Sequence, residues 1–258
     1  MSIIEFGMES HIGLVRGENQ DTAGKFPPDV LDDALEPGLL FVVADGMGGH
    51  KGGKEASGIA VDTVTREYFS NTVGNIADRL KSAFGVANAA IMDYGAAHIE
   101  CRGMGSTLTA VILQSGKASI AHVGDSRAYK ISDGAIIQLT EDHSVVAEWQ
   151  RKGWLTEEQA KVHPERSLLY RALGVRDEVE VDLIEKVALK ESDCLVLCTD
   201  GLSNLVENDE IRGLVLAAPP RHACEKMVAL ALERGGYDNI TVQAIRVHNL
   251  SGSPEPKT

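Results

Sequence analysis

Four aspartates each sit beside an apolar, strand-like run. Asp45 follows Leu39-Leu40-Phe41-Val42-Val43-Ala44, Asp125 follows Ile120-Ala121-His122-Val123-Gly124, Asp200 follows Leu195-Val196-Leu197-Cys198-Thr199, and Asp238 precedes Ile240-Thr241-Val242. Strand ends are where a rigid scaffold delivers side chains to a site, and carboxylates delivered together offer hard oxygen ligands to divalent cations. Such donors suit magnesium or manganese better than zinc, which recruits histidine or cysteine. The cysteines, Cys101, Cys194, Cys198 and Cys224, lack the short paired spacing of a zinc site and read as reduced, buried thiols.

Asp45 and Asp200 are each followed by glycine, and because both residue types favour turns, one such pair alone says little. The first pair, however, runs on into Met47-Gly48-Gly49-His50-Lys51-Gly52-Gly53, where the density of glycine calls for unusual backbone angles or close approach to a ligand. The same stretch nearly spells a nucleotide phosphate loop. Gly48, four residues, Gly53 and Lys54 fit, but Glu55 stands where a hydroxyl should bind magnesium, and its charge opposes phosphates. Such loops also serve parallel sheets.

The elements around the aspartates point the other way. Short apolar runs at Thr107 to Leu113, Ala118 to Val123, Ala128 to Ile131 and Ile136 to Leu139 alternate with turn signals at Ser115-Gly116, Gly124-Asp125-Ser126 and Asp133-Gly134. This spacing predicts one antiparallel sheet of consecutive hairpins, with no room for helical crossovers. Helical periodicity runs from Lys54 to Phe69 and, after an Asn75 cap, from Ile76 to Ile91, predicting two helices packed as a hairpin against that sheet. A third helix, about His222 to Arg234, should stop at Gly235-Gly236, and Asp238 to Val247 alternates as a half-buried strand does. The irregular stretch 141–178 reads as a surface flap, and the tail 249–258 as disordered.

A chain of 258 residues with this composition fits one large domain. Its formal charge of −13, from 38 acidic and 25 basic residues, opposes nucleic-acid binding. The longest strongly apolar run, 39–44, is too short to span a bilayer, and the first residues do not read as a secretory leader, so no membrane and a cytoplasmic address are expected. A monomer is the default expectation in the absence of heptads.

Arg16-Gly17-Glu18-Asn19-Gln20-Asp21 alone would read as a charged surface loop. It is followed in order by Asp45-Gly46-Met47-Gly48-Gly49-His50, Gly105-Ser106-Thr107, Gly124-Asp125-Ser126-Arg127, Asp142-His143-Ser144, His163-Pro164-Glu165-Arg166, Asp200-Gly201 and Asp238-Asn239. This ordered set closely resembles the metal-dependent type 2C serine/threonine protein phosphatases in their bacterial form, from about Ser10 to Val247. The resemblance implies an α+β fold, a four-layer α-β-β-α sandwich of two antiparallel sheets flanked by helices, with residues 1–248 as the catalytic domain. It implies that Asp45 bridges two Mn2+ or Mg2+ ions, with the Gly46 carbonyl on the second and Asp200 and Asp238 on the first. Asp125 would share a third, weaker ion with Asp200, and Asp21 would hold metal-bound water. Arg16 would bind the phosphate and His50 would act as general acid.

The implied reaction is hydrolysis of phosphoserine and phosphothreonine in proteins by a water bridging two ions, without a covalent phosphoenzyme, in a circuit with a cognate serine/threonine kinase. Ions roughly 4 Å apart can share and acidify such a water. Ser106 and Thr107 are expected to bond backbone near the site, and Arg127 and Arg171 to be structural ion-pair partners. His143 and His163 are open between packing and substrate contact. A fold-retaining binding module without turnover is disfavoured because every metal aspartate of the family pattern is present.

Overall fold

The apolar run that ends at Asp45 becomes the middle of a sheet, and the one that ends at Thr199 becomes the middle of a second. The computed structural model describes residues 3–32 and 36–248, with the backbone alone for residues 3 and 49–51. In chain order the elements are β1 Ile3–His11, β2 Asp21–Phe26, β3 Leu39–Met47, α1 Gly49–Ser70, α2 Ile76–Ala97, β4 Gly105–Ser106, β5 Leu108–Gln114, β6 Lys117–Val123, β7 Arg127–Ser132, β8 Ala135–Gln138, α3 Val145–Arg151, α4 Glu157–Lys161, β9 Asp182–Ala188, β10 Cys194–Cys198, α5 Asp200–Ser203, α6 Asn208–Ala217, α7 Pro220–Glu233 and β11 Ile240–His248. One sheet has the order β1-β11-β10-β7-β8 and the other β2-β3-β5-β6-β9, with β4 paired to β3. Every pairing is antiparallel.

Three apolar layers follow from the alternation of side chains along these strands. Phe41, Val43, Val111, Leu113, Leu195, Leu197, Ile245 and Val247 fill the space between the sheets. Leu40, Val42, Ala110 and Ile112, on the opposite face of their sheet, pack on Val64, Tyr68, Leu80, Phe84 and Ile91 of α1 and α2. Val196, Cys198, Val242 and Ala244 pack on Ile211, Val215, Met227 and Ala231 of α6 and α7. The α-β-β-α sandwich is thus present, and the two long helices pack on a sheet as their periodicity requires. Asn75 caps α2 through its side chain, in a reciprocal capping box with Asp78. All four cysteines are buried and none forms a disulfide.

Three expectations need correction. The run 107–140 is not one sheet of consecutive hairpins: β5-β6 lies in one sheet and β7-β8 in the other. Gly124-Asp125-Ser126 carries the chain between sheets, a step that hairpin spacing cannot distinguish from a turn. Helix α1 begins at Gly49, not Lys54. Its glycine-rich start serves close packing, since a Cβ at Gly52 would stand 2.8 Å from that of Met104 and one at Gly53 would run into the Gln20 side chain. Finally, β11 is buried on both faces, starting at Ile240. Its polar Thr241 and Gln243 face the other sheet, where Gln243 Nε2 donates to the Gly24 carbonyl at 3.0 Å. The tail 249–258 lies outside the described residues.

The flap segment carries α3 and α4 and returns to the sandwich through bridges Ser144–Leu169 and Ser106–Leu173. Where it begins, buried His122 of β6 sits between the Thr109 hydroxyl, 2.9 Å from Nδ1, and the Glu141 carbonyl, 3.0 Å from Nε2. Burial, reinforced by neighbouring His143, pushes the His122 pKa down to about 4. The native state therefore holds a neutral imidazole, while the unfolded chain takes up a proton near pH 6.5. This contribution is fully present above about pH 6.5 and lost as pH falls towards 4, roughly 3 kcal/mol in all. Chemical denaturation across that interval should show the loss, and His122→Gln should remove the larger share of the slope. A remainder should persist, because burial also lowers the pKa of His143.

Candidate functional site

Antiparallel pairing collects the chemistry-bearing residues at one end of the sandwich. There β1 ends before the loop carrying Arg16, β2 begins with Asp21, β3 reaches Asp45, β6 and β7 meet around Asp125, β10 leads to Asp200, and β11 follows Asp238. Asp21 and Asp45 are direct partners across the β2-β3 pair. The two Asp-Gly pairs share a steric reason: a Cβ at Gly46 would overlap the Gly53 carbonyl oxygen, and one at Gly201 the Asn239 carbonyl oxygen. In both places the backbone passes too close to another segment for any side chain.

Hydroxyls and one amide hold the carboxylate-bearing backbone. The Asp45 N–H donates to Thr107 Oγ1 at 2.9 Å, while the Ser106 hydroxyl donates to the Asp45 carbonyl at 3.0 Å, as expected of this pair. Thr107 also meets Ser126, beside Asp125, at 2.7 Å. Across the sheets, Thr199 Oγ1 donates to Asp21 Oδ2 at 2.9 Å. Asn239 fastens the Arg16 loop: its Nδ2 donates to the carbonyls of Ile12 and Glu18 at 2.8 and 3.0 Å, and its Oδ1 accepts from the Gln20 N–H at 2.9 Å. The loop delivers Arg16 to Asp238, Nη2 to Oδ2 at 2.7 Å.

The electrostatics are those of crowded anions. Burial pushes the carboxyl pKa of Asp45 well up, and the charges of Asp21, Asp200, Asp125 and Asp238 push it further. Asp125 is raised well above the usual range by burial and by Asp200, and Asp200 is raised by burial and by Asp238. Burial takes Asp21 to about 7 against the hydrogen bonds of Thr241 and Thr199. The positive charges of Arg127 and Arg16 oppose the rise at Asp200. Asp21 Oδ1 and Asp200 Oδ1 are buried and accept no hydrogen bond. Bound cations would relieve mutually repelling carboxylates with unpartnered oxygens, and an all-oxygen set fits Mn2+ or Mg2+. Among the described residues no three acidic, histidine or cysteine side chains already stand in ligating positions around one point, and Asp238 is engaged by Arg16.

His50 lies in the first turn of α1 and its side chain is outside the described residues. Lys54 points to Glu18, 3.5 Å away, and β3 pairs antiparallel on both sides, which removes the setting a nucleotide phosphate loop needs. Arg127 and Arg171 are ion-paired, with Asp142 and with Glu180 and Asp182. His143 is a packing residue: Nδ1 accepts from the Gly124 N–H at 3.0 Å and Nε2 faces Asp182 at 3.1 Å. His163 packs edge-on against Trp149. A cavity of about 620 Å³ between Phe6, Met8, Lys25 and Leu31 contains none of the predicted site residues. Sequence reasoning missed the clamping role of Asn239 and the bond from Thr199, although each is adjacent to an aspartate it had singled out.

The family model for protein phosphatase 2C matches residues 16–232, which takes in Arg16 and the aspartates at 21, 45, 125 and 200. The chain belongs to the bacterial type 2C serine/threonine protein phosphatases. The serine/threonine phosphatase stp of Listeria monocytogenes is 37% identical over 89% of this type 2C phosphatase and 90% of its own length. The crystal structure of the Mycobacterium tuberculosis serine/threonine phosphatase PstP/Ppp has a TM-score of 0.85 at 31% identity, covering 96% of this chain and 100% of that one. A structure of the PstP catalytic domain in complex with two manganese ions has a TM-score of 0.84 at 30% identity, with coverage of 96% and 100%. The two antiparallel sheets and their flanking helices are therefore shared with solved type 2C phosphatases.

Proposed function

We propose that this phosphatase hydrolyses phosphoserine and phosphothreonine in proteins, using Mn2+ or Mg2+ held by Asp45, the Gly46 carbonyl, Asp200 and Asp238. Asp125 with Asp200 would hold a third, weaker ion, and Asp21 would accept hydrogen bonds from water beside the ions. The observation that carries the reading is the convergence of half-buried carboxylates from both sheets, with buried oxygens on Asp21 and Asp200 that accept no hydrogen bond. When bound, the ions would supply charge compensation and would acidify a water for direct attack on phosphorus, a route that needs no covalent phosphoenzyme.

The chain's own residues supply the rest. Arg16, with a side chain 54% exposed beside Asp238, can turn its planar fork to phosphate oxygens and neutralise their charge as the bond to phosphorus breaks. His50, in the first turn of α1, is proposed to deliver a proton to the departing serine or threonine oxygen. Such an enzyme would oppose a serine/threonine kinase, and four buried cysteines with no disulfide agree with a cytoplasmic setting.

Release of phosphate from a phosphothreonine peptide should require added Mn2+ or Mg2+ and stop with chelator. Inactivity across divalent metals would overturn the reading. Mn2+ should also raise the melting temperature, by an amount reduced in Asp45→Asn, because the ion binds the native state.

A further inference from the structure

Three large apolar side chains stand in the open around Arg16. Leu14, Val15 and Tyr237 are 65%, 66% and 64% exposed. Scattered exposed apolar residues need no explanation, whereas a contiguous group beside a reactive centre marks a contact surface. Val15 precedes Arg16 and Tyr237 precedes Asp238, and the 2.7 Å contact between Arg16 and Asp238 brings the two segments side by side, a contact that gives way when Arg16 turns to phosphate. A second tie, from the Leu14 N–H to the Gly236 carbonyl at 2.7 Å, joins them again.

The group is built, not merely exposed. The Ile12 carbonyl is held by Asn239 and the Gly13 N–H donates to His11 Nδ1 at 2.9 Å, so the backbone under Leu14 is fixed. The pair Gly235-Gly236, which ends α7, has φ values of 115° and 46°. A Cβ at Gly235 would run into the Tyr237 ring, and one at Gly236 would stand 3.2 Å from Leu14 Cγ. Without side chains, the two glycines form a floor on which the Tyr237 ring and Leu14 rest. Apolar area presented on a fixed backbone binds at a reduced ordering cost.

The position of this platform identifies its occupant. A peptide whose phosphate meets Arg16 places its neighbouring residues about 3.5 Å further along per position, over residues one or two places from Arg16 and Asp238. We infer that Leu14, Val15 and Tyr237 receive an apolar side chain within two positions of the phosphorylated residue, making the enzyme selective for phosphosites with apolar flanks. The inference rests on the phosphatase reading above.

The test uses two phosphothreonine peptides that differ only in having leucine or glycine on both sides of the phosphothreonine. The native enzyme with Mn2+ should favour the leucine peptide in kcat/KM by about tenfold, the scale of one buried aliphatic side chain. Leu14→Ser and Tyr237→Ser, made separately, should each bring the ratio towards one, through KM for the leucine peptide. Equal kcat/KM for both peptides in the native enzyme overturns the platform and leaves the phosphatase reading standing. Discrimination that survives in both variants also overturns it, by placing selectivity elsewhere. Failure to hydrolyse either peptide removes the phosphatase reading and the platform with it.

Discussion

Asp200→Asn should lower phosphopeptide turnover by roughly two to three orders of magnitude, the scale reached when a group that stabilises developing charge is lost. The substitution keeps the shape of the side chain and its place at the start of α5, but replaces a carboxylate oxygen by an amide that cannot neutralise a cation. Asp200 Oδ1 is buried without a partner, and the neighbouring charge of Asp238 adds to the effect of burial on its pKa. Removing one of these anions relieves repulsion in the metal-free protein. The variant should therefore be as stable as the native protein without metal, or more so, while losing both activity and the thermal shift on adding Mn2+. Metal-free and Mn2+-loaded melting curves, taken with the rate, separate this outcome from simple misfolding. Near-normal turnover would remove Asp200 from the ligand set.

Asp142→Ala should cost about 3–5 kcal/mol of stability, the penalty for leaving one partner of a buried ion pair alone. Asp142 receives Arg127 in a two-pronged contact, Nε to Oδ1 at 2.9 Å and Nη2 to Oδ2 at 2.7 Å, with Gln138 Nε2 a further donor at 3.0 Å. Their side chains are 23% and 13% exposed, so water cannot replace the lost carboxylate fully. Arg127 Nη1 would keep only the Tyr129 hydroxyl, 3.2 Å away. The guanidinium charge already opposes part of the rise that burial and neighbouring carboxylates impose on the pKa of Asp125 and Asp200, and once freed it would compete with divalent ions for them. Urea denaturation should show the stability loss, and a higher Mn2+ requirement for activity should accompany it. The double variant Arg127→Leu with Asp142→Leu should recover much of the stability, since the pair costs desolvation as well as contributing attraction.

The legible parts of this protein were those coded by short-range chemistry. Periodicity placed α1 and α2 on a sheet, and Asn75 announced the start of α2 because a cap acts on the backbone three residues away. What failed was the step between hairpins: Gly124-Asp125-Ser126 is a turn by composition, yet it crosses from one sheet to the other. Composition cannot reveal that crossing, because the partners of β7 are β8, close in sequence, and β10, some 60 residues on. The polar positions of β11 misled for the same reason. Thr241 and Gln243 would face water on a half-covered sheet, but here they find hydrogen bonds inside the sandwich, with Ser10 and Gly24 among their partners.

The candidate site divides along the same line. The order of Arg16, Asp21, Asp45, Asp125, Asp200 and Asp238, and their places beside apolar runs, are properties of the sequence alone, and they carry the donor chemistry. Only the tertiary structure decided that Arg16 meets Asp238, that Thr199 reaches Asp21, and that Asn239 holds the backbone of Gln20, 219 positions away. It also decided why Gly46 and Gly201 must be glycine, through carbonyls of Gly53 and Asn239 that occupy the place of a Cβ. Residue type sets what a group can bind, and that is local. Which groups share a site depends on strand pairing between distant segments, which emerges only when the two sheets close on one core.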